Sequence, residues 1–126
     1  MLTAMISGHL DLTRDEFWTY YAEFIKKAII QGDKIVVGDA PGADAMAQAY
    51  LFANDYNEVT VYCSEGFPRP RHNIGNWPVA EIGHKPYEKD AAMTAASDYD
   101  IAWVRPGKED SGTAANIRRR QIKERK

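Results

Sequence analysis

Short apolar runs alternate along this chain with longer segments in which apolar positions recur at the spacing of a helix. The runs predict strands, and the longer segments predict the helices between them. The predicted strands cover residues 2–6, 34–37, 59–63 and 101–104. The predicted helices cover residues 13–32, 43–53 and 87–96, and a last helix begins at Ser111 or Gly112. This alternation indicates an α/β fold: a single Rossmann-like domain over residues 1–126, with a parallel sheet of about four to five strands and helices on both faces.

The first predicted helix carries an aromatic stripe. It begins with a capping-box sequence, in which Thr13 is followed three residues later by Glu16. The stripe consists of Phe17, Tyr20, Tyr21 and Phe24. We interpret the stripe as part of the core, or in part as an oligomer interface, and we expect a homo-oligomer, a dimer or larger.

A long segment, residues 64–86, has no clear periodic pattern. It holds four prolines, three glycines and two histidines, and this length and composition are typical of a functional loop or lid. Trp77 and Phe67 are candidates for stacking on a base, or they anchor the loop to the body of the domain. Arg69 and Arg71 either suit a second phosphate or face solvent.

The strand-to-helix connections of a parallel sheet meet at its carboxyl edge, where ligands bind. The segments predicted to meet there are residues 7–12, 38–42, 64–86 and 105–113. Gly38 and Gly42 precede a helix, so their backbone N–H groups and the helix dipole favour an anion such as phosphate. Their spacing matches neither the P-loop nor G-x-G-x-x-G, which argues against ATP hydrolysis and ordinary dinucleotide binding. The alternative is a tight turn that requires positive φ.

A second turn of the same kind opens the last helix. There Ser111, Gly112 and Thr113 combine small residues, hydroxyl groups and a helix N-terminus at the same edge of the sheet. Two such turns at one edge favour an anion-binding site.

Charge and composition narrow the possible partners. The chain has 126 residues and a net charge of −2, so no overall basic field attracts nucleic acid or an anionic membrane. The basic segment 118–126 is either a solvated helix end or a nucleic-acid patch. Cys63 is the single cysteine. No run approaches the roughly 18 apolar residues that span a bilayer. No signal peptide is evident. We therefore expect a soluble cytoplasmic protein with no membrane partner.

Other reactive side chains give weaker signals. His9 and Asp11 follow the first strand and either contact a base or ribose or form a turn. His72 and His84 have spacings that match no zinc signature, and we predict neither a metal nor a cofactor. Cys63 is interpreted as a small buried hydrophobic residue rather than a nucleophile.

Three segments in this order resemble the SLOG superfamily over nearly the whole chain. They are "ISGHLDLT", "VVGDAPGADAMA" and "KDAAMTAASDYDIAWVRPGKEDSGTAANI". The superfamily includes the LOG phosphoribohydrolases, the DprA proteins and the small YspA-like proteins, and the chain is most similar to the last group. The resemblance implies a Rossmann-like domain that binds nucleotides, nucleotide derivatives or single-stranded nucleic acid.

The resemblance also assigns roles to residues. Residues 38–42 with Asp44 match its first glycine-rich loop, and Gly112 and Thr113 match its Gly-Thr phosphate loop. Lys89 stands where LOG enzymes have an arginine, and Asn116 stands where they have a catalytic glutamate. Cleavage of an N-glycosidic bond by the family mechanism is therefore in doubt, because an amide supplies no negative charge to an oxocarbenium-like state. The carboxylates that could substitute are Asp44, Asp39, Glu109 and Asp110.

The predicted function is binding of a nucleotide or nucleotide-derived ligand at the carboxyl edge. The predicted binding residues are Ser7, Gly8, His9, Gly38, Asp39, Ala40, Pro41, Gly42, Asp44, Lys89, Ser111, Gly112, Thr113 and Asn116, with Trp77 as the candidate for base stacking. One alternative is a nucleoside 5′-monophosphate N-glycosidase or transferase with Asp44 as its candidate carboxylate. Another is DprA-like binding of single-stranded nucleic acid through the basic C-terminal helix.

Overall fold

A computed structural model describes residues 1–65 and 70–124. In chain order its elements are β1 (Thr3–Ile6), α1 (Arg14–Tyr20), α2 (Ala22–Gln31), β2 (Lys34–Gly38), α3 (Ala43–Ala53), β3 (Val59–Cys63), β4 (Val79–Glu81), α4 (Pro86–Ala95), β5 (Tyr99–Ile101) and α5 (Gly112–Glu124). The strands form one parallel sheet in the order β4-β3-β2-β1-β5. The predicted α/β fold with a Rossmann-like single domain is confirmed.

The two faces of the sheet are covered differently. Alternate residues of the central strands point to opposite faces, so Ala4 and Ile35 pair on one face and Met5 and Val36 pair on the other. The first face packs against α1, α2 and α3 and forms the main apolar core. The second face packs against α4 and α5, and its apolar cluster contains only Met5, Val36, Met93 and the partly buried Tyr62. Helices on both faces are thus confirmed.

The segment predicted as one helix over residues 13–32 forms two. The capping box is present, because the Thr13 hydroxyl accepts from the Glu16 N–H and the Glu16 carboxylate accepts from the Thr13 N–H. The helix breaks at Tyr21, where φ is −123°. The Tyr21 hydroxyl is buried, donates to the Ser7 carbonyl at 2.8 Å and accepts from the Trp103 N–H at 3.0 Å. The second helix ends at Gly32, in the left-handed conformation with φ 72°, as expected for a C-terminal cap.

The aromatic stripe divides between core and surface. Phe17 and Tyr21 are buried, whereas Phe24 is 55% exposed. Tyr20 is partly exposed and stacks on Trp103, with ring centroids 4.1 Å apart. Trp18, outside the predicted stripe, is 56% exposed. The predicted homo-oligomer stays a prediction.

Both edge strands differ from the sequence prediction. β4 lies inside the segment predicted as a loop, and its exposed Val79 gives no apolar run. The last strand spans Tyr99–Ile101 instead of residues 101–104, because it begins with polar positions: the Tyr99 hydroxyl donates to the Asp33 carboxylate at 2.7 Å. Trp103 therefore follows the strand rather than lying within it.

The cations of α5 bind the C-terminal end of α4. Arg120 is buried and donates to the carbonyl oxygens of Thr94 and Ser97 and to the Asp100 carboxylate. The Lys123 ammonium donates to the Ser97 carbonyl at 2.6 Å. These contacts satisfy carbonyl groups that a helix end leaves without partners.

No helix in the described ranges has the length and apolar character needed to cross a membrane. Residues 125 and 126 of the predicted basic segment lie outside those ranges.

Candidate functional site

A cavity of about 550 Å³ lies at the carboxyl edge of the sheet, and we call it the edge cavity. All four predicted segments and α4 contribute to it. Of the predicted binding residues, those that line it are Ser7, Gly8, His9, Gly38, Ala40, Asp44, Lys89, Ser111, Gly112, Thr113 and Asn116. Asp39, Pro41 and Gly42 do not line it. Asp11, Arg71 and Asp110, which the sequence offered as alternatives, do line it, as do Asp90 and Lys108, which it did not single out.

Gly38 ends β2 where two ionisable side chains approach the backbone. A Cβ atom at this position would lie 2.4 Å from Asp44 Oδ2 and 3.1 Å from Lys89 Nζ. The absence of a side chain therefore makes room for an acid and an amine at the cavity wall.

Gly42 holds the turn after β2 against the loop after β1. Its φ of 76° and ψ of −125° are accessible to glycine and strained for other residues. A Cβ atom there would lie 2.4 Å or less from the carbonyl oxygens of His9 and Leu10. The next N–H, that of Ala43, donates to the His9 carbonyl at 3.1 Å. Gly42 thus allows the close contact between two loops. This role corresponds to the alternative interpretation of Gly42 as a residue of a tight turn that requires positive φ.

Asp44 binds the same turn from the first turn of α3. Its Oδ2 accepts from the Ala40 N–H at 3.3 Å. Burial raises the pKa of Asp44 to about 7, and the nearby charge of Lys89 only partly opposes this effect. The backbone N–H groups of Ala40 and Ala43 therefore have hydrogen-bond partners within the protein, and Pro41 has no N–H. Ala40, Pro41 and Ala43 therefore offer no free N–H donor for a phosphate.

Asp39 is buried below the edge cavity and binds residues that line it. It accepts from the Arg71 N–H at 2.9 Å and from the Arg71 guanidinium at 3.3 Å, and Lys89 Nζ lies 3.8 Å away. Burial acts to raise the pKa of Asp39, but the hydrogen bonds from Arg71 and the charges of Arg71 and Lys89 lower it below its ordinary value. Asp39 is therefore a buried carboxylate that holds two cations.

Lys89 extends from α4 over the end of β2, and its side chain is 8% exposed. Its nearest carboxylate oxygens, on Asp39 and Asp90, are 3.8 and 4.0 Å from Nζ. These distances exceed hydrogen-bond length, so the ammonium donates no hydrogen bond within the described part of the chain. The three protons of this ammonium group therefore have no acceptor in the described residues.

At its first two positions, the N-terminus of α5 has N–H groups without partners in the described part of the chain. The Ser111 hydroxyl caps the helix by accepting from the Ala114 N–H at 3.2 Å. The N–H groups of Gly112 and Thr113 have no hydrogen-bond partner among residues 1–65 and 70–124. A Cβ atom added at Gly112 would meet nothing within 4 Å. These donors and the positive end of the helix dipole lie at the wall of the edge cavity.

His9 and Ser7 supply polar groups from the loop after β1. His9 Nε2 accepts from the Arg105 N–H at 2.8 Å, so the neutral ring carries its proton on Nδ1. Burial, and secondarily the charge of Arg105, lower the pKa of His9 and favour this neutral form. Ser7 Oγ is buried and has no partner in the described residues. Asp11, by contrast, forms a salt bridge with Arg105 at 3.0 Å.

Trp77 lies in the main core and does not line the edge cavity. Its indole N–H donates to the Tyr56 carbonyl at 3.1 Å, and its backbone exchanges hydrogen bonds with the Asn73 side chain. The buried Gln48 amide donates to the His72 carbonyl and accepts from the Ile74 N–H. Trp77 therefore anchors the segment after residue 70 to the body. Phe67 and Arg69 lie outside the described residues.

The remaining candidates are not arranged for other chemistry. Asn116 is buried, and its Oδ1 accepts from the Arg119 guanidinium at 2.7 Å. Burial raises the pKa of Cys63, which makes its thiol a poor nucleophile. Within the described ranges, no three His, Cys, Asp or Glu side chains are grouped to hold a metal ion.

The charged residues that sequence reasoning left out carry no distinctive pattern. Lys108 lies in a polar turn, and Asp90 follows Lys89 on a helix with a weak apolar face. The sequence feature that could have identified them is their proximity to the carboxyl edge of the predicted sheet.

Comparisons of the chain with protein-family models, with curated proteins and with solved structures find no match. The resemblance to the SLOG superfamily therefore stays a prediction.

Proposed function

We propose that the edge cavity binds a phosphorylated small molecule, namely a nucleotide or a nucleotide derivative. One observation carries this proposal: the open N-terminus of α5 and the unbonded Lys89 ammonium face the same cavity. Helix N-termini and amines both favour phosphate. The cavity volume of about 550 Å³ is within the range of small-molecule sites.

The cavity wall suggests how such a ligand lies. A phosphoryl group accepts hydrogen bonds from the N–H groups of Gly112 and Thr113. Ser7 Oγ, without a partner in the described residues, meets a ribose hydroxyl or a base. The Asp44 carboxyl and the Asn116 amide are further partners for ribose hydroxyls. The SLOG resemblance supports this proposal, since it implies a phosphate loop at Gly112 and Thr113.

A second candidate function is hydrolysis or transfer at the N-glycosidic bond of a nucleoside 5′-monophosphate. The pKa of Asp44, raised to about 7, favours this candidate because both protonation states are populated near neutral pH. Asp39 is bound to Arg71, and the Glu109 carboxylate accepts from the Gly107 N–H. Asp44 is therefore the carboxyl group that we assign to an enzyme, and Asp110 is the other candidate at the cavity.

Binding of single-stranded nucleic acid through the basic C-terminal helix is less well supported. Arg120 and Lys123 bind carbonyl groups at the end of α4, and Arg118 donates to the Glu109 carbonyl. Side chains used in this way are poor candidates for phosphate contacts along a strand.

The experiment that tests the proposed function is a titration of the purified protein with nucleoside mono- and diphosphates, followed by thermal shift and calorimetry. Lys89→Gln is expected to weaken binding of the diphosphates about tenfold, because it removes a charged donor from the cavity. Lys26→Gln, at an exposed position of α2, is the matched control and is expected to have no effect. If no nucleotide stabilises the protein, the proposed function is wrong. Chromatography of the same samples separates the two candidates, since release of free base supports the enzyme.

A further inference from the structure

The edge cavity has a second cationic end, formed by Arg71 and Lys89. Arg71 Nη2 and Nε lie 3.3 and 3.5 Å from the Asp39 carboxylate, while Nη1 has no partner in the described residues. The side chain is 49% exposed and lines the cavity. Beside it, the Lys89 side chain is nine-tenths buried, and its ammonium donates no hydrogen bond within those residues. Charged donors on both side chains are thus directed to the cavity without an acceptor.

The charges at this end favour an anion. Asp39 carries one negative charge between two cations, which leaves one positive charge on the group of three. Asp90 also faces Lys89 at 4.0 Å, and burial raises the pKa of Asp90 above its ordinary value. Asp44 is protonated in part for the same reason. An anionic ligand group at this end therefore meets donors of Arg71 and Lys89 that have no acceptor in the described residues.

This end lies apart from the N-terminus of α5. Arg71 and Lys89 contact Asp39 at the end of β2, whereas α5 follows β5 and packs against it. One strand, β1, separates β2 from β5 in the sheet, so the carboxyl ends of those two strands are about two strand spacings apart, or roughly 10 Å. A hydrogen bond to oxygen spans only about 3 Å, so a phosphoryl group bound at Gly112 leaves the Arg71 end without an acceptor.

We propose that the edge cavity holds two anion subsites and that its ligand carries two separate anionic groups, one at the N-terminus of α5 and one at Arg71 and Lys89. The chemical class is a nucleoside or similar small molecule with phosphoryl groups at two positions. This inference rests on the proposed function. Asp39 is the positioning residue of the second subsite, since it contacts both cations from below the cavity and does not line it.

Calorimetric titration with adenosine 5′-monophosphate and adenosine 3′,5′-bisphosphate tests the two subsites. The wild-type protein is expected to bind the bisphosphate at least tenfold more tightly. Arg71→Gln is expected to remove most of this advantage and to leave the affinity for the monophosphate within twofold. Arg14→Gln, at the exposed start of α1, is the control for loss of one positive charge. Because Arg71 also pairs with the buried Asp39, the two ligands are compared within the one variant at a temperature below its unfolding midpoint.

Equal affinity for the two ligands would overturn the proposal of two subsites. So would an Arg71→Gln variant that loses the same factor of affinity for both ligands, because that result indicates one shared subsite. If neither ligand binds the wild-type protein, the proposed function itself fails, and these outcomes are distinguishable in one set of titrations.

Discussion

Two strand-to-helix turns of this protein look alike in sequence and differ in structure. Residues 38–42 precede α3, and residues 111–113 precede α5; both combine small residues with a helix N-terminus at the same edge of the sheet. In the first turn, the N–H groups of Ala40 and Ala43 bind Asp44 and His9. In the second, the N–H groups of Gly112 and Thr113 have no partner in the part of the chain that the structure describes.

The difference shows that glycine can occur at such a turn for more than one physical reason. Gly42 is required by positive φ and by the carbonyl oxygens 2.4 Å or less from its missing Cβ atom, so it serves packing. Gly112 has open space around it and leaves its N–H at the cavity wall, so it suits a ligand. The partners of each N–H group, rather than the glycines themselves, separate a closed turn from an anion site.

The largest expected effect concerns the stability of the two turns. Gly42→Ala is expected to destabilise the fold by about 3 kcal/mol, because it adds a Cβ atom at positive φ and against two carbonyl groups. Gly112→Ala is expected to change stability by no more than about 0.5 kcal/mol, since the site is open and alanine favours a helix. Urea unfolding followed by tryptophan fluorescence measures both. Equal losses in the two variants would refute the distinction between a closed and an open turn.

The next effect concerns Asp44, which closes the first turn. Its pKa is about 7 in the folded protein and has the ordinary value of 3.8 in the unfolded chain, so between these values the folded state holds a proton that the unfolded state has released. The resulting stabilisation is complete below pH 3.8 and is lost as the pH rises to 7. In the wild-type protein, we expect Asp44 to lower the free energy of unfolding by about 2 to 3 kcal/mol as the pH rises from about 5 to 8. We expect this decrease to be absent in Asp44→Asn.

The difference between wild type and Asp44→Asn at each pH is the quantity to measure, by urea unfolding. Asp90 changes stability with pH in the same direction as Asp44, because its pKa is also raised, and His9 in the opposite direction, because its pKa is lowered. Both residues are present in both proteins. An identical pH dependence in the two would show that Asp44 is ionised throughout this range.

The sequence predicts the centre of the fold better than its edges. The central strands β2 and β3 are visible as apolar runs because helices cover both of their faces. The edge strands β4 and β5 are short and partly polar, so their pattern is weak. The break at Tyr21 is not visible either, because it depends on the hydrogen bonds of its hydroxyl to Ser7 and Trp103, which are distant in sequence.

The topology of the sheet predicted the location of the edge cavity, but it did not predict the contacts that the residues around the cavity make. The carboxyl edge of a parallel sheet predicted most of the residues that line the edge cavity. The predictions could not show that the turn after β2 binds the loop at His9, because that contact is tertiary. Nor could they show that Arg71 is held at the cavity by Asp39, whereas Trp77 is buried in the core.

The smallest expected effect tests the central claim most directly, namely that the N-terminus of α5 is the open anion site. Gly112→Pro removes one N–H at the first helical position, where proline is well tolerated, and Gly112→Ala keeps that N–H. We predict that the proline variant binds adenosine 5′-monophosphate five- to tenfold more weakly than the alanine variant in calorimetry, with equal unfolding midpoints. Equal affinities in the two variants would contradict the account, because the amide at Gly112 would then contact no ligand.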